Sequence, residues 1–233
     1  KPDLRNPLLI KDCTHIFKDS DFKIFSSLIE KDYKVKGIIV NETADKPRSF
    51  FDKLNNWARE EGAAGLGYIS FVDNDHKGPI AKNLDSDRLV SLGLKNNQSI
   101  FFVCDNQKEA QLFAGKVREK LCKDLNLLNK NSFEFCWIVD FPMYELDDKT
   151  NKIEFSHNPF SMPQGEMDSL LNKDPLEIKA YQYDIVCNGV ELSSGAIRNH
   201  IPDLMYKLFN IAGYSKQEVD KNFSGMINAL SYG

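Results

Sequence analysis

Asn188–His200 reads NGVELSSGAIRNH, and what this stretch requires decides how the rest of the chain is read. It has the character of a strand, yet Glu191 and Arg198 bracket three small residues, Ser193, Ser194 and Gly195. Small residues let another backbone or a ligand approach closely. A recessed arginine suits bidentate binding of a carboxylate or phosphate, and a glutamate suits a bound cation. Together they predict a site for an acid and a nucleotide. Strict period-two geometry sends Glu191 and Arg198 to opposite faces, so a shared site requires a bulge or bend at Ser193–Gly195.

Outward from this stretch, Tyr181–Cys187 and Gly189–Ile197 read as strands. Phe133–Asp140 is apolar throughout, which predicts a strand buried on both faces. Two helices follow. Leu204, Leu208 and Ala212 line the first, which Gly213 stops. Ser215 and Glu218 form a capping box for the second, with Tyr214 and Val219 placed as a hydrophobic staple. Nearer the beginning, Phe22–Phe25, Lys34–Val40, Leu66–Val72 and Ser99–Cys104 read as strands. Residues 48–61 place Phe50, Phe51, Leu54, Trp57 and Ala58 at helical spacing up to Gly62. A short helix fits Ser86–Leu92. Residues 107–124 carry one apolar stripe, Ala110, Phe113, Ala114, Val117 and Leu121, opened by Asn106 and Glu109. Helices on one face of a mostly antiparallel sheet is the simplest packing, a two-layer α+β domain ending near Asn126–Ser132.

At 233 residues the chain holds one large domain or two ordinary ones. Hydrophobic residues at 42% and charged residues at 27% exclude a disordered chain. No apolar run approaches the roughly 18–20 residues that span a bilayer, so no membrane role is expected. Five cysteines, none in a CxxC pair, argue against zinc and a disulfide framework and fit a reducing cytoplasm. Residues 1–130 carry 22 Lys+Arg against 19 Asp+Glu; residues 131–233 carry 8 against 15. The second part is acidic by seven charges and is no nucleic-acid footprint by itself. The opening KPDLRNP does not read as a signal peptide, and both ends read as cuts through a longer protein.

WIVDFPMYE (Trp137–Glu145), FSHNPFSMP (Phe155–Pro163) and NGVELSSGAIR (Asn188–Arg198) together resemble bacterial-type aspartyl-tRNA synthetase, in that family's order. KPDLRNP (Lys1–Pro7) resembles the segment leading out of its first catalytic half. GAAGLGYISF and GPIAKNL, within residues 62–84, resemble its insertion domain, which has a relative in a tRNA-dependent amidotransferase subunit. The resemblance implies an α+β chain in three parts: residues 1–12 a lead-in, 13–128 the insertion domain, and 129–233 part of a class II catalytic sheet with helices. It implies a class II aspartate–tRNA ligase that makes aspartyl-adenylate from aspartate and ATP and passes aspartate to tRNA(Asp), with tRNA(Asn) left open. Residue by residue, Glu191 matches the acid that contacts ATP with Mg²⁺, and Arg198 the arginine that binds aspartate. His157 matches the histidine of the loop over the amino acid. Asn158 stands where some members have a second histidine and is left out of the site. The family's second motif would precede Lys1 and its third would follow Gly233, so this stretch alone is expected to be inactive. The resemblance also implies a cytoplasmic homodimer.

The rival reading is a non-catalytic tRNA- or protein-contacting module akin to the amidotransferase domain. Such a module has no need of the segments that carry His157, Glu191 and Arg198. A free-standing nucleotide binder would need GxxxxGK or GxGxxG, and the chain has neither. His15, His76 and His200 read as ordinary surface or turn positions. Asp140 reads as a turn former, and DNDHKG (Asp73–Gly78) as a solvated hairpin loop rather than a metal site. Phe101, Phe102 and Phe113 read as core rather than a base-stacking platform.

Overall fold

The computed structural model describes residues 1–232, so Gly233 lies outside the described residues. Two compact units divide the chain: Asn6–Lys130, and Lys1–Arg5 together with the residues from Asn131 onward.

The first unit contains β1 (Ile10–Asp12), α1 (Thr14–Phe17), α2 (Lys23–Ile29), β2 (Lys34–Asn41), α3 (Arg48–Glu60), β3 (Gly67–Val72), β4 (Asp75–Lys77), α4 (Ser86–Ser91), β5 (Gln98–Asp105) and α5 (Gln107–Asp124). Its sheet runs β1-β2-β5-β3-β4, and every pairing is antiparallel. Alternation splits the side chains cleanly. Ile38, Val40, Phe101 and Val103 pack against Phe51, Leu54 and Ala58 of α3 and Ala110, Ala114, Val117 and Leu121 of α5. Val35, Ile100 and Phe102 point the other way, into a second core with Ile16, Phe17 and Phe25. The α+β class and antiparallel pairing are as expected, but α1, α2 and α4 add a further layer on the second face. Continuous apolar runs such as KGIIV and SIFFV already reflect that double burial.

Residues 6–12, read above as lead-in, belong to this unit: Leu8 is buried in its core and β1 pairs with β2. Phe22–Phe25 is no strand. Phe22 precedes α2, and its ring meets that of Phe25 edge-on at 4.9 Å. This i,i+3 contact is what a helical turn provides, and it overrides the β preference of phenylalanine. The α5 start is as read, with Asn106 Oδ1 accepting from the Glu109 amide at 3.0 Å. Asp73 and Asn74 both have positive φ, 54° and 60°, and form the tight turn between β3 and β4. Asn and Asp tolerate that region best among non-glycines, and DNDHKG is thus a hairpin.

The second unit contains β6 (Phe135–Ile138), β7 (Phe141–Pro142), β8 (Tyr144–Leu146), β9 (Ile153–Phe155), α6 (Glu166–Asn172), β10 (Lys179–Ala180), β11 (Gln182–Cys187), β12 (Val190–Ala196), α7 (Pro202–Ile211) and α8 (Lys216–Leu230). β12-β11-β6 form an antiparallel sheet, and β7–β10 and β8–β9 pair separately. Met143, Tyr144, Met162, Leu170, Ile178 and Leu204 make a core of this unit, and the Tyr144 hydroxyl donates to the Leu208 carbonyl at 3.0 Å. Both halves of the Ser215–Glu218 capping box form. Tyr214 packs its ring on Phe209 at 5.6 Å.

β6 departs from expectation. It is an edge strand, and Phe135 and Trp137 are 58% and 60% exposed. Its apolar run therefore does not mean burial on both faces here. Asp140 has φ 60° and turns the chain into β7, as read. Hydrogen bonds from Gln164 and then Lys179 hold its carboxyl below the usual range. Among the described residues no helix is long and apolar enough to cross a membrane, and all five cysteines are free thiols.

Candidate functional site

β11 and β12 build the site. Their register pairs Gln182 with Ala196, Asp184 with Ser194, Ile185 with Ser193 and Val186 with Glu191. Leu192 has no partner in that sequence of pairs, so a bulge falls there. One extra residue inverts the alternation. Glu191 therefore shares a face with Ser194, Ala196 and Arg198, opposite Gln182 and Asp184 on β11. The realignment that the shared site required is present, one residue earlier than Ser193–Gly195.

This face walls a cavity of about 420 Å³, lined also by Lys1, Phe141, His157 and Asn158. Lys1 Nζ lies 2.5 Å from Asp184 Oδ2 and 2.9 Å from Glu191 Oε2. Two carboxylate oxygens thus converge on a single cationic point. Hydrogen bonds that the ammonium donates to Asp184 and then Glu191 raise the Lys1 pKa above the ordinary lysine value. Asp184 is 7% exposed, the one ionised side chain of β11.

Arg198 stands at the far end of the same face. Its strand continues into a pairing with residues 160–162: the Met162 amide donates to the Ile197 carbonyl, and the Asn199 amide to the Phe160 carbonyl, both at 2.8 Å. The guanidinium lies 5.1 Å from the centre of the Phe160 ring. No carboxylate pairs with it among the described residues. A ring face steadies an arginine while leaving its forked donors open to a planar anion.

The same pairing brings in the loop of His157. That ring meets Phe141 edge-on at 5.0 Å and lines the cavity. Asn158 also lines it, but its side-chain oxygen is used internally, accepting from the Phe160 amide at 2.9 Å and the Ser161 hydroxyl at 3.1 Å. Gln182 Nε2 donates to Ser161 Oγ at 2.8 Å, tying this loop to β11. His157, Glu191 and Arg198 are therefore brought together in one cavity. Asp184, Gln182 and Lys1 join them and were missed. A single aspartate inside YQYDIVC was the available signal for Asp184; nothing local marks Lys1.

The antiparallel β12-β11-β6 sheet thus presents one polar face to a cavity. The family model described as tRNA synthetases class II (D, K and N) matches residues 1–233, and the chain belongs to that family, which uses ATP. It is 58% identical over 237 residues to the aspartate–tRNA(Asp/Asn) ligase of Paramagnetospirillum magneticum, covering 100% of this chain and 27% of that protein. The ligase of the same name from Gluconobacter oxydans is 55% identical over 237 residues, with 100% of this chain and 40% of the relative covered. That of Acidiphilium cryptum is 57% identical, again with 100% and 40% covered. The chain thus spans between about a quarter and two-fifths of the length of these relatives.

Proposed function

We propose that this cavity is the aspartate- and ATP-binding site of an aspartate–tRNA ligase. The observation that carries the reading is the convergence of Asp184 and Glu191 on one cation position, with Arg198, which no carboxylate pairs with among the described residues, lining the same cavity. Hard oxygen donors in this number suit Mg²⁺, which takes one or two carboxylates and keeps the rest of its shell for water and phosphate. No group of three or more His, Cys, Asp or Glu exists among the described residues that would point to a metal caged entirely by protein. Mg²⁺ bound here supplies charge neutralisation for the phosphates of ATP. Arg198 offers its fork to the aspartate carboxylate. His157 closes the amino-acid end of the cavity, and Gln182 holds its loop at the right height.

The relatives carry both tRNA(Asp) and tRNA(Asn) in their names, and this reading takes both as acceptors. It takes residues 6–130, with their own cores, as the insertion domain, and the active form as a cytoplasmic homodimer. The test is aspartate-dependent exchange of pyrophosphate into ATP by the full gene product and its Arg198→Lys variant. Lysine keeps the charge and loses the fork. The KM for aspartate is expected to rise about tenfold or more, as for loss of one charge-assisted hydrogen bond, with the KM for ATP little changed. Equal shifts in both would show that Arg198 only supports the fold.

A further inference from the structure

We infer that Lys1 is a tethered cation that fills the Asp184–Glu191 pair until a divalent metal displaces it. The inference rests on the cation reading of that pair given above and adds a competitor to it. Its basis is geometric. Lys1 Nζ contacts one oxygen of each carboxylate and stands 6.0 Å from the centre of the Phe141 ring. Two carboxylates on one cavity wall repel unless a positive charge lies between them, and Asp184 is too buried for water to screen it fully. The ammonium occupies the point on which both oxygens converge. A Mg²⁺ at ~2.0–2.1 Å from its oxygens cannot share that point with a nitrogen.

The lysine has a way out. Its side chain is 36% exposed, so it can swing to solvent while the backbone stays. The backbone beside it lies against the sheet: the Lys1 carbonyl and Asp3 stand next to Gly189, and Arg5 closes on Asp3 within the same segment, with Nη2 at 2.7 Å from Oδ2. Release of Lys1 and entry of metal are then coupled, and the acidic pair is bare only while the lysine is undocked.

If the docked lysine is populated about nine parts in ten, apparent metal affinity is about tenfold below intrinsic affinity. The experiment is titration of the full gene product with Mn²⁺, followed by the loss of the free-ion electron paramagnetic signal. Wild type, Lys1→Met, Lys1→Arg and Glu191→Gln are compared, with circular dichroism and thermal melts confirming folding. Lys1→Met is expected to bind Mn²⁺ about tenfold more tightly, Lys1→Arg to resemble wild type, and Glu191→Gln to bind much more weakly. Wild type and Lys1→Met agreeing within about threefold, with Glu191→Gln still weak, would overturn the inference and leave the cation reading standing. Tighter binding by wild type would make Lys1 an organiser of the pair rather than a competitor, and would overturn it too. No binding by any variant, or binding indifferent to Glu191, would sink the cation reading and the inference with it.

Discussion

Deleting Leu192 tests the bulge on which the site depends. Without it, Glu191 joins Ser193 directly, the pairs Val186–Glu191 and Ile185–Ser193 become consecutive rungs, and strict alternation keeps Glu191 on the face of Ser194, Ala196 and Arg198. The four rungs from Gln182–Ala196 to Ile185–Ser193 and the two at Val186–Glu191 and Cys187–Val190 then form one unbroken register, so Glu191 is expected to stay at the cavity. Leu192 is 57% exposed, so its removal forfeits less than half of the transfer energy of a leucine, about 1 kcal/mol. That corresponds to a fall in melting temperature of about 2–8 °C. Cation binding is expected to hold, whereas a Glu191 turned off the face would forfeit one charge-assisted contact worth about 1.5–3 kcal/mol. At 1.36 kcal/mol per decade that loss would weaken cation binding about 10- to 150-fold. Mn²⁺ titration and a thermal melt on the same preparation separate the two effects. A folded deletion variant that binds Mn²⁺ about tenfold or more weakly than its parent would refute the argument that Leu192 is the extra residue that brings Glu191 to the cavity.

Three further outcomes are expected. A Cβ at Gly195 would lie 2.6 Å from the Tyr183 ring, so Gly195→Ala should destabilise the chain by about 1–3 kcal/mol, and Tyr183→Ala in the same chain should recover most of that loss; additive losses in denaturant melts would place the strain elsewhere. Burial opposes the charge of Asp12, but hydrogen bonds from Lys36 and the Thr14 amide outweigh it and bring the carboxyl down to about 2. Its stabilising effect is therefore complete above the unfolded value near 3.8 and fades as pH falls through 2, so the stability gap between the parent and Asp12→Asn should close over that interval in acid melts. A gap independent of pH would remove the ion pair from the account. Finally, the 233-residue chain alone should give no aspartate-dependent pyrophosphate exchange above background, because the arginines that the resemblance implies for the phosphates are not matched within it.

What could be read in the sequence was what is local and periodic. Residues 107–124 form a helix because five apolar residues recur on one stripe and Asn106 caps it, and α5 has those very bounds. β2 and β5 were legible as strands, but an apolar run does not say which layers cover it; helices on the second sheet face had to be seen. The same ambiguity misread β6, whose Phe135 and Trp137 are exposed although the run around them is as apolar as a central strand. At the site, His157, Glu191 and Arg198 were legible because motif segments carry them. Asp184 lies two strands' registers from Arg198 and 14 residues away, in a run that looks purely structural. Lys1 reaches it across 183 positions, a distance that no local pattern spans.

The small residues of Asn188–His200 serve two masters, and the bulge is what lets them. Ser194 and Ala196 lie on the cavity side with Glu191 and Arg198, where short side chains leave room for a ligand. Gly195 answers a different demand: the ring of Tyr183, its cross-strand partner, occupies the space that a side chain would need. Tyr183 in turn meets Trp137 of β6 edge-on at 5.8 Å, so the back of the sheet is an aromatic row and its front is charged. An unbulged strand would have to place Glu191 in that aromatic row, leaving a carboxylate against rings with no partner. Leu192 resolves the conflict as an unpaired residue between two registers. Chemistry on one face and packing on the other therefore depend on the register step at this position, and a β12 that reaches the same register without Leu192 should keep cation binding while losing only the little that a half-exposed leucine contributes to stability.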